Sequence, residues 1–451
     1  MSKSVTLGGD EAIPILSEAL APPLIHGVAA LSALVYAGQR PEELIRQVSA
    51  GPETPEQVVG AALDVATLCF LGFRREAGLA LQGAALEACQ IYRVASPTGS
   101  APLRVLALVA PGDLQVNIPL DFITAHLDVR LDLLFVRPGQ ALPACVPDHD
   151  LAIFAVSESD RATLRRLAPL FRRWPRPVVN DPVRVPGLGR AELTEACAGL
   201  QGVLAPPLAP RGREDLLAAM AHGGLDGLLP GAAGPVLVRP EGSHAGEGLA
   251  RIADAAALTH YLEREAASRF FVSCFIDYRS ADGLFRKYRV AFIGGRPFLC
   301  HMAVSSHWMV HYLNAGMTES AAKREDEARA MAEFDAGFAA RHRRAFAALC
   351  ERVGLDYFVI DCAEAPDGRL LLFEADVAAI IHLIDPPDLF PYKAAQMRRV
   401  FAAFGAFLAG RVREGGWPAA APGDDDRAPV PLAAQGRPYV SSNRTMSSSP
   451  T

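Results

Sequence analysis

The chain has 451 residues, half of them apolar and 21% charged, a globular composition with length for two or three cores. A formal net charge of −6 argues against a general nucleic-acid binder, which usually carries a basic excess, though it leaves room for a local basic groove. The eight cysteines (Cys69, Cys89, Cys145, Cys197, Cys274, Cys300, Cys350 and Cys362) include no C-x-x-C pair, and most lie in apolar stretches. They read as reduced core thiols, not as a disulfide framework. The longest apolar run near the N-terminus, residues 27–38, is too short to span a bilayer, and no small-residue cleavage site follows a basic segment. The expectation is a soluble, cytoplasmic protein.

Residues 1–98 are rich in Ala and Leu and poor in strand signals, so this region is expected to be α-helical. From Ala61 to Val94 apolar residues recur at three-to-four spacing, broken near Gly72-Phe73-Arg74-Arg75, which predicts a helix, a turn and a second helix. The pair faintly resembles one tetratricopeptide-type hairpin. A single unit cannot bury a repeat core, so a helical cap on the main body is the simpler expectation.

Ser96-Pro97-Thr98-Gly99-Ser100 reads as a linker, after which strands alternate with helices. Short apolar runs at Arg104–Val109, Leu131–Val136, Leu151–Val156 and Pro177–Asn180 predict a small parallel α/β sheet over residues 101–189. Residues 190–410 are α+β, with helices expected at Ala345–Val353 and Gln396–Leu408. The tail, 415–451, is rich in Pro, Asp and Ser and lacks the apolar content to fold, so disorder is expected there.

Four groups of residues carry chemistry. The strand Val236-Leu237-Val238-Arg239 runs into Gly242-Ser243-His244-Ala245-Gly246-Glu247-Gly248. Those glycines let backbone amides approach a polyphosphate, Ser243 adds a hydroxyl donor, and Arg239 is placed to neutralise phosphate charge. A tight hairpin with a surface arginine is the structural alternative. Asp361, Glu374 and Asp376 end two further strands. Glu374 and Asp376, two residues apart, share a strand face, and hard oxygens clustered on one face suit Mg²⁺. With no adjacent Lys or Arg, three such acids would repel without a cation, so metal binding is the expectation and an ion-paired structural cluster the alternative. Asp356 and Glu364 flank them and are expected to be solvated.

Arg286-Lys287-Tyr288-Arg289 starts a strand that a Gly294-Gly295 turn folds into a hairpin toward Phe298-Leu299. Arg289 could then hold a transferring phosphoryl group or a developing oxyanion; a solvated basic edge strand is the alternative. His301, His307 and His311 do not have zinc spacing, and with Trp308 and Tyr312 they fit the lining of an acceptor pocket better. His382, near Asp385, either faces that pocket or is a satisfied core histidine.

In this order, these elements resemble the ATP-grasp superfamily, in its glutathione-synthetase and ribosomal-protein glutamate-ligase branch, over about Leu103 to Leu408. The resemblance implies an ATP-grasp fold preceded by a small parallel α/β domain and the helical N-terminal region. It implies phosphate-gripping cations at Arg190 and Arg239, where lysine is usual, and a flexible loop at Gly242–Gly248. It places the adenine-contacting hinge at Ser273-Cys274-Phe275-Ile276, with Asp277 against the ribose. Arg289 matches the arginine that stabilises the reacting phosphate. Asp361 and Glu374 match metal-binding acids, and Asp376 stands where asparagine is usual.

The implied reaction joins a carboxylate to an amine, or less often a thiol, through an acyl phosphate, using ATP and Mg²⁺ (or Mn²⁺). The implied substrates are small-molecule or peptide carboxylates and amines, with no nucleic acid and no membrane. The N-terminal helices are a candidate surface for a protein partner, and homo-oligomerisation is left open. A nucleotide-binding scaffold and a kinase of the same fold are the competing readings.

Overall fold

The computed structural model describes residues 12–96, 99, 102–232, 234–243 and 246–415. The acidic tail and His244 lie outside the described residues. In chain order the N-terminal region holds β1 (Ile15–Ser17), β2 (Leu24–Ile25), α1 (Gly27–Tyr36), α2 (Pro41–Ala50), α3 (Pro55–Leu71), α4 (Arg75–Ala88) and β3 (Ile91–Val94). Helix α3 starts where its sequence dictates. Pro55 occupies the first turn, and Thr54 and Gln57 form a reciprocal capping box. Helices α3 and α4 pack as a hairpin across Gly72-Phe73-Arg74, as expected.

The predicted second helix is too long, because Ile91–Val94 is a strand. Tyr92 and the β-branched Ile91 and Val94 prefer a pleated, half-buried surface, and pairing with a neighbouring strand overrides the helical spacing. Two carboxylates, the buried Asp64 and the partly buried Asp121, fasten α1 to the rest. Asp64 accepts from the amides of His26 and Gly27, and Asp121 from that of Ala29.

Helix α3 also lies so close to β2 that a Cβ at Gly60 would stand 2.2 Å from the Leu24 carbonyl oxygen. Gly60→Ala must therefore move backbone. A loss of about 1–3 kcal/mol in chemical denaturation is expected, and an unchanged midpoint would mean that the helix sits further out.

Next come β4 (Leu103–Val109), α5 (Leu120–Thr124), β5 (Val129–Phe135), β6 (Cys145–Pro147), β7 (Leu151–Phe154), α6 (Arg161–Phe171) and β8 (Val178–Val179). They build a six-stranded sheet of order β2-β3-β5-β4-β7-β8, in which β5, β4, β7 and β8 are parallel, as expected for continuous apolar runs.

The remainder contains α7 (Arg190–Cys197), β9 (Val203–Leu204), β10 (Leu208–Gly212), α8 (Arg213–Leu228), β11 (Val236–Pro240), β12 (Ala250–Ile252), α9 (Ala255–Arg264) and β13 (Arg269–Cys274). After these come β14 (Phe285–Ile293), β15 (Arg296–Ser305), α10 (Ala321–Glu333), α11 (Phe338–Arg341), α12 (Arg343–Val353), β16 (Tyr357–Glu364), β17 (Leu370–Asp376) and α13 (Lys393–Glu414). They form a four-stranded sheet, β10-β13-β11-β12, and a five-stranded sheet, β15-β14-β16-β17-β9.

The class is therefore α+β with a parallel α/β part ahead of two further sheets. Gly294 and Gly295 have φ of 55° and 76° in the β14–β15 turn, the left-handed pair that a two-residue hairpin requires. Asn180, just past β8, bonds the Tyr357 carbonyl and amide at 2.8 Å each, which ties the parallel sheet to the five-stranded one. One large core cluster runs from Leu63 and Leu86 through the parallel strands to Phe401 and Phe404 of α13, with smaller clusters beside it.

Candidate active site

The five-stranded sheet sets the geometry. In its register His301 of β15 pairs with Arg289 of β14, Arg289 with Asp361 of β16, and Asp361 with Glu374 of β17. Directly paired residues share a face, so these four side chains form one lateral row across four strands. Both outer pairings are followed at once by a register shift, after Arg289 and after Asp361. Bulges at such places re-aim side chains and are common beside functional sites. Strand β14 is internal to the sheet, so the edge-strand alternative for Arg289 fails.

The acids do not lack cationic partners, as the sequence led us to expect. Asp361 is 3% exposed and receives both a two-pronged Arg289 contact, at 2.8 and 3.0 Å, and the Lys287 ammonium at 2.9 Å. Burial alone would raise its pKa, but Arg289 and Lys287 outweigh burial and hold it well below the usual carboxylate range. Arg289 also donates to the Ile380 carbonyl at 3.1 Å. Glu374 bonds Arg190, the first residue of α7; burial raises its pKa, but Arg190, Lys287 and Arg289 together more than offset burial and lower it. Asp356 pairs with Arg411, and Glu364 with Arg341 and His342, so neither is merely solvated.

Asp376 is the exception. Burial and then nearby Glu374 push it up to about 6, although the Ala378 amide donates to it at 2.6 Å. Sequence reasoning missed two members of this site. Lys287 is two residues from Arg289, hence on the same strand face, and that spacing was a usable signal. Glu158 follows β7, at the carboxyl end of a parallel sheet, where open α/β folds bind ligands. Its Oε2 is buried without a hydrogen-bond partner among the described residues, and burial followed by Asp376 pushes it up to about 8.

The folded state thus holds the Glu158 proton between the ordinary value of 4.5 and about 8, where the unfolded chain releases it. Stability attributable to this group falls as pH rises through that window. Glu158→Gln should therefore gain on the wild type by roughly 2–4 kcal/mol between pH 5 and 8, read by denaturant unfolding without nucleotide. Parallel pH curves for the two proteins would rule this out.

The four-stranded sheet contributes Arg239 and the glycine loop. Arg239 of β11 folds back on the glycine loop, with Nε 3.2 Å from the Ser243 hydroxyl and a further bond to its carbonyl. Burial, and then neighbouring Arg190, lower the Arg239 pKa to about 10. The two arginines and Glu374 therefore occupy one electrostatic neighbourhood. Gly242, Gly246 and Gly248 have φ of 78°, 80° and 63°. At Gly248 a Cβ would also stand 2.7 Å from Pro240, so the loop needs glycine there on two counts.

Beyond β13, Phe275 carries the Arg251 guanidinium over its ring at 4.4 Å and meets Trp308 edge-on at 5.7 Å. Cys274 ends β13, Ile276 packs in the adjoining core cluster, and Asp277 is held by Arg279 at 2.5 Å. A ribose hydroxyl would share Asp277 with Arg279. His301 lies against Tyr312 with 4.7 Å between ring centroids, and burial followed by Arg289 keeps it neutral, well below its usual pKa.

Among the described residues no three His, Cys, Asp or Glu side chains converge on a metal-binding point. Mg²⁺ rarely needs such a cage, because one or two carboxylates plus substrate phosphates usually hold it. Asp361, Glu374 and Asp376 fit that pattern, since they offer hard carboxylate oxygens only, and the unpartnered Glu158 Oε2 is a further buried carboxyl oxygen that feels the Asp376 charge. No helix among the described residues is long and apolar enough to cross a membrane.

No protein-family model matches the sequence, and no curated protein matches it. Among solved structures, the chain is similar to the D-alanine–D-alanine ligase of Bacillus anthracis complexed with ATP, at 13% identity and TM-score 0.41, over 70% of this chain and 100% of that one. It is similar to a RimK domain ATP-grasp protein of Sphaerobacter thermophilus at 19% identity and TM-score 0.37, over 68% and 100%. It is also similar to the D-alanine–D-alanine ligase of Coxiella burnetii at 12% identity and TM-score 0.42, over 69% and 96%. All three stand below 25% identity and below a TM-score of 0.5, so the chemistry of this chain has to be read from its own residues.

Proposed function

We propose that the chain is an ATP-dependent carboxylate–amine ligase of the ATP-grasp type, acting on an amino-acid or peptide carboxylate. The observation that carries this reading is the row Arg289–Asp361–Glu374 on three adjacent strands, with Arg190 and Arg239 in the same neighbourhood. Alternating fixed cations and carboxylates suit a polyphosphate better than a neutral ligand.

In this reading Arg190 and Arg239 grip phosphate oxygens, and Arg239 exchanges its Ser243 contacts for them. The Gly242–Gly248 loop, with His244 in it, covers the phosphates with backbone amides and excludes the water that would hydrolyse an acyl phosphate. The hinge at Cys274, Phe275 and Ile276 lines the base, and Asp277 the sugar. Glu374 and Asp376, with Asp361 behind them, would hold Mg²⁺ or Mn²⁺. That ion would neutralise charge on the phosphates during transfer. The substrate carboxylate attacks the terminal phosphorus of ATP, releasing ADP. Arg289, fixed by Asp361 and Ile380, stabilises the acyl phosphate and the oxyanion formed when the amine attacks and phosphate leaves.

Thermal shift with ATP and Mg²⁺, compared with ATP and EDTA, tests the first half. Native-state binding at a hundred times Kd is worth about 2.7 kcal/mol. Trapping with hydroxylamine tests the second half, since an acyl phosphate yields a hydroxamate plus phosphate. No shift with any nucleotide would sink the reading and favour a scaffold. Phosphorylated product without hydroxamate would point to a kinase.

A further inference from the structure

A cavity of about 100 Å³ lies between the N-terminal helices and the parallel sheet. Its apolar wall includes Ile25, Val28 of α1, Leu63 and Phe70 of α3, Phe122 of α5 and Ile380. Its polar residues are already committed. Asn117 bonds the Ala110 amide and carbonyl at 2.8 and 2.7 Å, and Gln82 bonds those of Gly112 at 2.8 and 3.0 Å. Asp121 accepts from the Ala29 and Phe122 amides, and the Thr67 hydroxyl donates to the Leu63 carbonyl. With those groups satisfied, the space favours an apolar guest. A dry cavity of about 150 Å³ takes benzene, so this one has room for about four carbon atoms.

The cavity adjoins the reaction row through one short segment. Ile380 lines it, and the Ile380 carbonyl is the one that Arg289 holds at 3.1 Å. Two residues on, the His382 ring meets Phe122 at 6.4 Å and Tyr36, the last residue of α1, at 6.3 Å. The N-terminal helices therefore reach the chain that positions the catalytic arginine. We propose that this cavity is the subsite for a small branched aliphatic side chain on the carboxylate substrate, so that α1 and α3 select the substrate. The inference rests on the ligase reading, and it gives the helices a role that needs no protein partner.

The test compares glycine, alanine, valine, leucine and phenylalanine as carboxylates in hydroxamate formation with Mg²⁺, ATP and hydroxylamine. Wild type should favour valine and leucine over glycine by tenfold or more in kcat/KM. Val28→Phe, which fills the cavity, should lose that preference while keeping its Mg²⁺–ATP thermal shift. Leu63→Ala, which enlarges it, should move the preference toward phenylalanine. Equal rates across the series in wild type would overturn the subsite, as would an unchanged preference in whichever variant folds. If no carboxylate yields hydroxamate, the ligase reading is what fails. The subsite is then judged by whether leucine raises the midpoint of wild type but not of Val28→Phe, and no such shift overturns it too.

Discussion

Glu374→Ala is expected to reduce ATP consumption at least 100-fold while leaving the folded state nearly as stable as before. The side chain lies on an internal strand but is 35% exposed, so its removal creates little cavity. Arg190, which loses its partner, is 24% exposed and can be rehydrated, and a partly exposed ion pair contributes at most about 1 kcal/mol. The loss in turnover comes from a different source. Glu374 is the carboxylate in the row with a cation from outside the sheet, and in the proposed reaction it would help hold the Mg²⁺ that offsets charge on the phosphates. Removing one such preorganised group typically costs a factor of 100–1,000. Glu374→Gln keeps a hydrogen-bond acceptor for Arg190 without the charge and should be as inactive as the alanine variant, whereas Glu374→Asp should recover part of the rate. Undiminished ATP consumption by the alanine variant would remove Glu374 from the reaction.

Much of this arrangement was legible in the sequence, for identifiable physical reasons. The β14–β15 hairpin announced itself through Gly294-Gly295, because only residues that tolerate positive φ close a two-residue turn between strands. The parallel strands did so through unbroken apolar runs, and α3 through its proline and capping residues. What failed were inferences about partners. Ile91–Val94 keeps a helix-like spacing, but its β-favouring residues pair with β2 on one side and β5 on the other. The carboxylates looked unneutralised because their cations come from elsewhere: Arg190 is 184 residues from Glu374 in sequence, and Arg289 is 72 from Asp361. Glu158 was invisible for the same reason, since a lone acid after a strand acquires meaning only when another sheet brings Asp376 toward it.

Asp361→Ala should behave differently from Glu374→Ala, losing both turnover and about 3–5 kcal/mol of stability in denaturant unfolding. Asp361 is almost fully buried, and the two cations that it neutralises are themselves largely covered. Deleting the acid strands two positive charges in a low-dielectric site, whereas deleting the whole group need not. Asp361→Leu combined with Lys287→Met and Arg289→Met should therefore regain most of the lost stability and none of the activity. The pH response has a definite sign. A carboxylate held well below its ordinary pKa of 3.8 contributes stability that is present above that value and is lost as pH falls below it. Wild type should thus lose its advantage over the triple variant only in acid. If single and triple variants are equally unstable, the cluster stabilises through packing and not through paired charge. If the triple variant still consumes ATP, Arg289 is not the residue that meets the reacting phosphate. The expected contrast with Glu374 gives the row two roles, with Asp361 fixing the arginine in place while Glu374 and Asp376 face the nucleotide.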